Sequence, residues 1–186
     1  MNKVLVIYAS HYGQTRAIAM RIAERLRERG AQTDVLDARY AQQLPGPDGY
    51  DAVVIGSRVE VGRHASSVVE YIREHREDLE HVPTGFFSVS MAAASSTAGS
   101  DPSGYLAGLF EKLDWKPACA AAFAGGLPYR KYKWFTRFVM KRISKAAGHT
   151  TDTSRNHDLT DWDAVREFAD EVAGLLPERV VARQML

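Results

Sequence analysis

The sequence predicts an α/β protein: a five-stranded parallel sheet of order 2-1-3-4-5, covered by helices on both faces in three layers, with an insertion around the fifth strand. Apolar β-rich runs alternate with amphipathic helical segments along the chain, which is the pattern of repeated right-handed crossovers. The runs are also continuously apolar instead of alternating with polar residues, as strands buried on both faces require. With 186 residues, 45% of them hydrophobic and 25% charged, the chain has the size and composition of one globular domain spanning 1–186.

Lys3 to Ala9 is the first and most apolar run and is expected at the centre of the sheet. From Thr15 to Arg29 the residues Ile18, Ile22, Ala23 and Leu26 recur at helical spacing, and Gly30 follows as a stop. Thr33 to Asp37 reads as a second strand and Tyr50 to Gly56 as a third, after the turn-forming Pro45 to Gly49. One helix is expected over Ser66 to Leu79, and a fourth strand over Thr84 to Ser90. A helix from Pro102 to Leu113, a strand around Ala118 to Ala124 and a helix from Asp161 to Leu176 complete five β-α units.

In such a sheet ligands bind beyond the carboxyl ends of the strands, at the switch point beside strand one. The loop there is Ser10-His11-Tyr12-Gly13-Gln14-Thr15, which runs straight into a helix. Free N–H groups and the positive end of the helix attract phosphate, Ser10 and Thr15 offer hydroxyls, and Gly13 permits close approach. The alternative is that the two hydroxyls only cap the helix. The loop has neither the lysine of a Walker A motif nor the spaced glycines of a dinucleotide fingerprint, which disfavours ATP and NAD.

Tyr8 to Thr15 resembles the phosphate loop of flavodoxins. The loop after strand three, Gly56 to His64 with Ser57, Arg58 and Val59, and the loop after strand four, Ser88-Val89-Ser90-Met91-Ala92-Ala93-Ala94, resemble the two loops that hold the flavin ring. In the second half, Gly125 through Leu127, Pro128, Tyr129, Lys131, Trp134 and Phe135 to Lys141, then Gly148 to Thr153 and Thr160 to Trp162, resemble the menaquinone-dependent protoporphyrinogen IX dehydrogenase family. The resemblance implies a flavodoxin-like fold and FMN as cofactor, held by residues 10–15, 57–59 and 88–92 and by Gly125. It also implies a porphyrinogen-type substrate and a quinone acceptor in heme biosynthesis. Two alternatives stand beside it: another FMN-dependent quinone reductase, and an electron-transfer flavodoxin that docks on a protein.

Charge is unevenly spread. Between Leu127 and His149 there are seven Lys or Arg and no Asp or Glu, although the formal net charge of the chain is +1. Lys133, Arg137, Lys141 and Lys145 repeat every four residues, while Phe135, Phe138, Val139 and Ile143 define another face, so a basic amphipathic helix is expected. Such a helix fits peripheral contact with an anionic membrane, a carboxylate-bearing substrate or a protein; nucleic acid is the least favoured polyanion. Arg130, Lys133, Trp134, Arg137 and Lys141 of this stretch, and Arg63 and His64 of the loop after strand three, are the candidates for contact with substrate or membrane. An ordinary packed surface helix is the plain alternative.

The six histidines have no metal-ligand spacing, and no metal is expected. Cys119, the single cysteine, lies in an apolar run and reads as a small buried hydrophobe. The first residues enter a strand pattern instead of a signal peptide, and no run reaches the roughly 18 apolar residues of a spanning helix. The expectation is a cytoplasmic protein, peripheral on the inner face of the membrane through its insertion.

Overall fold

The computed structural model describes residues 1–91, 93, 102–125 and 158–178. Within them the chain runs β1 (Lys3–Ala9), α1 (Gln14–Glu28), β2 (Gln32–Asp37), a 3-10 segment (Ala38–Gln43), β3 (Ala52–Glu60), β4 (Arg63–His64), α2 (Ser66–Glu74), α3 (Arg76–Glu80), β5 (Thr84–Ser90), α4 (Pro102–Leu113), β6 (Cys119–Ala124) and α5 (Trp162–Gly174).

Five strands form the parallel sheet in the order β2-β1-β3-β5-β6. This is the expected 2-1-3-4-5 order once the small β4, which pairs antiparallel with the end of β3, is set aside. Side chains of β1 alternate between the two faces. Val4, Val6 and Tyr8 pack with Ile18, Ile22 and Leu26 of α1 and with Phe168 and Val172 of α5. Leu5, Ile7 and Ala9 pack with Val68 and Ile72 of α2 and with Leu106, Leu109 and Leu113 of α4. Each fully buried Ile or Leu contributes roughly 1.5–3 kcal/mol, so the two apolar faces of β1 account for its place inside the sheet, between β2 and the middle strand β3.

On the first face, Arg25 grips the Asp170 carboxylate with two N–H groups at 2.8 and 2.9 Å, and Arg29 adds a third bond at 2.9 Å. These bonds join α1 to α5 and hold the Asp170 carboxyl well below its usual range. Cys119 is buried as expected, and burial pushes its thiol up to about 12.

Three expectations need correcting. The helix expected over Ser66 to Leu79 breaks at His75 (φ −110°, ψ 20°) into α2 and α3. Strand β3 runs on to Glu60, so Ser57, Arg58 and Val59 are strand residues instead of loop residues. Ser88, Val89 and Ser90 likewise close β5 and do not belong to the loop after it. The basic insertion lies outside the described residues.

Candidate functional site at the carboxyl edge of the sheet

Because the five long strands are parallel, their carboxyl ends share one edge, and the register brings the expected residues together there. Ala9 pairs with Ser57, Ser57 with Ser88, Arg58 with Val89, and Ser88 with Ala122. Strand β1 exchanges its neighbours on this edge: the chain leaves β1 for β2 on one side and returns to β3 on the other. The loops after β1 and β3 therefore flank the switch point where an open α/β sheet binds its ligand.

The first of these loops begins α1 in an unusual way. Gly13 occupies the cap position at φ 103°, and no side chain caps the helix there. A left-handed residue at that point favours glycine, and the first N–H groups of a helix have no intrahelical acceptor. Ser10 is buried and its Oγ accepts the Gly13 N–H at 3.0 Å, leaving its own O–H to donate. Thr15 is also buried, in the first turn. Glycine, hydroxyl and helix start together fit a phosphate monoester, whose charge the helix end favours.

The other residues of the loop turn to distant partners. His11 bonds Glu60 Oε1 at 2.9 Å and stacks on Tyr12 with ring centroids 4.3 Å apart. The Gln14 amide donates to Asp158 Oδ1 at 2.8 Å and to Thr160 Oγ1 at 2.7 Å. Thr160 in turn donates to Ala124 O at 2.8 Å, and the Trp162 indole donates to Asp158 Oδ2 at 3.0 Å. This network joins the loop after β1 to the end of β6 and the entry of α5. Reasoning from sequence misses Glu60 and Asp158, because the sequence separations of these contacts, 49 and 144 residues, leave no local signal.

The end of β3 forms a tight hairpin with β4. Glu60 faces Arg63 across it, and the turn is Val61-Gly62, with φ values of 50° and 70°. Arg58 Nε lies 3.1 Å from Glu60 Oε2. Burial alone would raise the Glu60 carboxyl, but its contacts with His11 and Arg58 hold it below the usual range. Ser57 is fully buried, and its Oγ accepts the Ala65 N–H at 3.1 Å, fixing the exit of the hairpin into α2.

His64 is half-buried beneath the hairpin. Its Nε2 donates to Tyr105 O at 3.1 Å, its ring meets Phe86 edge-on, and its buried Nδ1 has no partner. Burial pushes this imidazole below its ordinary value, against the opposing bond to Tyr105. Arg63 points its exposed side chain outward beside it.

Across the sheet, the buried Ser90 accepts the Ala93 N–H at 3.1 Å, and its carbonyl accepts the Gly125 N–H at 2.9 Å. Met91 is half-buried and Gly125 buried at the same edge. The expected residues Ser10, Gly13, Thr15, Ser57, Arg58, Ser88, Ser90, Met91 and Gly125 thus share one edge, while Ala92, Arg130, Lys133, Trp134, Arg137 and Lys141 lie outside the described residues.

A parallel sheet of this order, with a glycine-capped helix at its switch point, defines a flavodoxin-type domain, and the Flavodoxin domain family matches residues 5–154. Flavodoxin 1 from Bacillus cereus superimposes with a TM-score of 0.58, covering 95% of this chain and all of that one at 14% identity. Protoporphyrinogen IX dehydrogenase [quinone] of Escherichia coli (strain K12) is 34% identical over 174 residues, 93% of this chain and 96% of that protein. The protein of the same name from Leishmania major is 31% identical, over 93% of this chain and 75% of its own length. The chain belongs to the protoporphyrinogen IX dehydrogenase [quinone] family of flavodoxin-domain proteins.

Proposed function

We propose that this chain is an FMN-dependent oxidoreductase that takes electrons from protoporphyrinogen IX and passes them to a quinone. The observation that carries the reading is the likeness to relatives of that name over 93% of the chain. The carboxyl edge supports it with a phosphate cradle and two strand ends on which a ring can rest.

In this reading Ser10, the Gly13 turn and the start of α1 hold the phosphate, and the ends of β3 and β5 flank the ring. FMN, when bound, supplies the reversible two-electron chemistry, and the protein supplies orientation and electrostatics. The Glu60 bonds to His11 and Arg58 fix the hairpin against the loop after β1. The Gln14 network does the same from the side of β6 and α5. Arg63 stands exposed on the hairpin, where its cation adds positive charge beside the ring site. No side chain is assigned as acid, base or nucleophile.

The basic insertion of residues 127–149 gives the reading a place to work: peripheral contact with the cytoplasmic membrane, where a lipid-soluble quinone is found. Two measurements test the core of it. Mass spectrometry of the released flavin is expected to find FMN; FAD, or no flavin affinity, overturns the cofactor. Anaerobic mixing of the holoprotein with protoporphyrinogen is expected to bleach the flavin, and a menaquinone analogue to restore its colour. A flavin that stays oxidised removes the substrate.

A further inference from the structure

A groove of about 680 Å³ lies between α2 and α4, beginning at the β3–β4 hairpin and running away from it. This is within the range of small-molecule sites. Both helices start at the carboxyl edge of the sheet, and the groove follows each for eight residues, seven helical steps, from Ser66 to Arg73 and from Tyr105 to Lys112. At the rise of an α-helix that is about 10 Å.

Charge and shape divide the groove. Arg63 stands at its hairpin end, and Arg73 and Lys112 at the far end, against the single carboxylate of Glu70. All three cations are exposed, and among the described residues none has an ion pair. Between the ends the walls are apolar, with Val69, Leu109 and the Tyr105 ring. Gly108 opens the wall of α4: a Cβ placed there meets no atom within 4 Å.

We infer that this groove binds a dicarboxylate with a broad apolar body, Arg73 and Lys112 taking the carboxylates while the body lies along Val69, Tyr105 and Leu109 toward the hairpin. The substrate class rests on the reading of the reaction given above: protoporphyrinogen carries its two propionates on one edge of the macrocycle. Gripped by that edge, the ring extends to the hairpin at which the flavin is held. Unpaired cations facing an apolar wall suit such a molecule, because each carboxylate gains a charge-assisted bond while the ring is desolvated.

The experiment titrates FMN-loaded protein with protoporphyrin IX and, separately, with its dimethyl ester, following porphyrin absorbance. In R73Q/K112Q, whose side chains are exposed and remote from the core, the free acid is expected to bind at least tenfold more weakly. The ester should bind both proteins alike, and high salt should close the gap for the acid. Equal affinity of the two proteins for the free acid overturns the groove. Gly108→Met provides a second route, since it fills the groove from a position with room for the side chain. It should abolish binding of acid and ester together at an unchanged thermal midpoint, and wild-type binding in this variant also overturns the proposal.

The two readings fail differently. A holoprotein that binds the free acid through Arg73 and Lys112 but takes no electrons from protoporphyrinogen keeps the groove and loses the reaction. One that is reduced with the same KM in R73Q/K112Q keeps the reaction and loses the groove.

Discussion

Val61 is a β-branched residue held at φ 50° with its side chain fully exposed, at the tip of the β3–β4 hairpin. Left-handed backbone costs such a residue about 1–2 kcal/mol, and an Asn-Gly pair is the usual solution for a two-residue turn of this kind. Strain of this sort collects at functional sites, and this turn borders the proposed flavin ring. Val61→Asn is therefore expected to stabilise the apoprotein by roughly 0.5–1 kcal/mol, because asparagine tolerates the conformation. FMN affinity is expected to fall or stay level, as measured by urea denaturation beside a flavin titration. A variant more stable and tighter for FMN would deny the turn any role at the ring. His64 makes a second residue-scale prediction through its depressed titration. Unfolded, the imidazole takes up its proton near pH 6.5; folded, it does so only at lower pH, so the unfolded state binds more protons between the two values. Stability is then full above about pH 6.5 and falls as pH drops through that window. Denaturation at pH 7.5 and 5.5 should show this loss in the wild type and a smaller one in His64→Gln. Equal losses would place the acid sensitivity elsewhere.

Packing between elements is sharpest where β3 lies beside β5. Gly56 pairs with Phe87, and a Cβ on Gly56 would lie 2.1 Å from the tip of the Phe87 ring. That ring cannot step aside, being held by Phe123 and Phe168 with centroids at 5.9 and 6.2 Å. Gly56→Ala is expected to cost roughly 1–3 kcal/mol in a denaturant titration. Combining it with Phe87→Leu should recover part of that cost, giving a total below the sum of the single variants. Strict additivity would show that the ring is not the obstacle. The strands and their order were legible in the sequence because buried parallel strands write themselves as continuous apolar runs: Lys3 to Ala9 and Thr84 to Ser90 were placed to the residue. The end of β3 was not, since Ser57, Arg58 and Glu60 look like a polar loop until Ser57 and Arg58 pair with β5 and Glu60 with β4. The break at His75 was equally hidden, because Val68, Ile72 and Leu79 keep a helical spacing through it. At the site, the backbone devices of Ser10 to Thr15 were legible from local chemistry alone. The bonds of His11 and Gln14 were not, as they depend on partners that only the fold brings near.

At the scale of the whole molecule, the insertion separates one highly basic stretch from a remainder that is net acidic, as seven cations without a carboxylate in a chain of net charge +1 require. A chain whose substrate and acceptor are both sparingly soluble in water gains from being held at the lipid surface. No helix among the described residues is long and apolar enough to cross a membrane; the attachment expected of the basic insertion is interfacial. Each Lys or Arg near an anionic surface contributes on the order of 1 kcal/mol, so one cation cannot hold the protein there but several together can. Replacing Lys133, Arg137, Lys141 and Lys145 with glutamine is therefore expected to release the protein from anionic vesicles while leaving FMN content near normal. Wild-type binding should weaken with salt and be slight on neutral vesicles, because the attraction is screened within a Debye length. Turnover with a lipid-soluble quinone should fall in step with binding, whereas reduction of the flavin by substrate supplied without vesicles should not. Co-sedimentation at low and high salt, run beside quinone turnover in the same vesicles, measures both. Binding that ignores lipid charge and the four substitutions would leave the insertion as a packing element or a protein-docking surface, and quinone access would then have to come from the carboxyl edge itself.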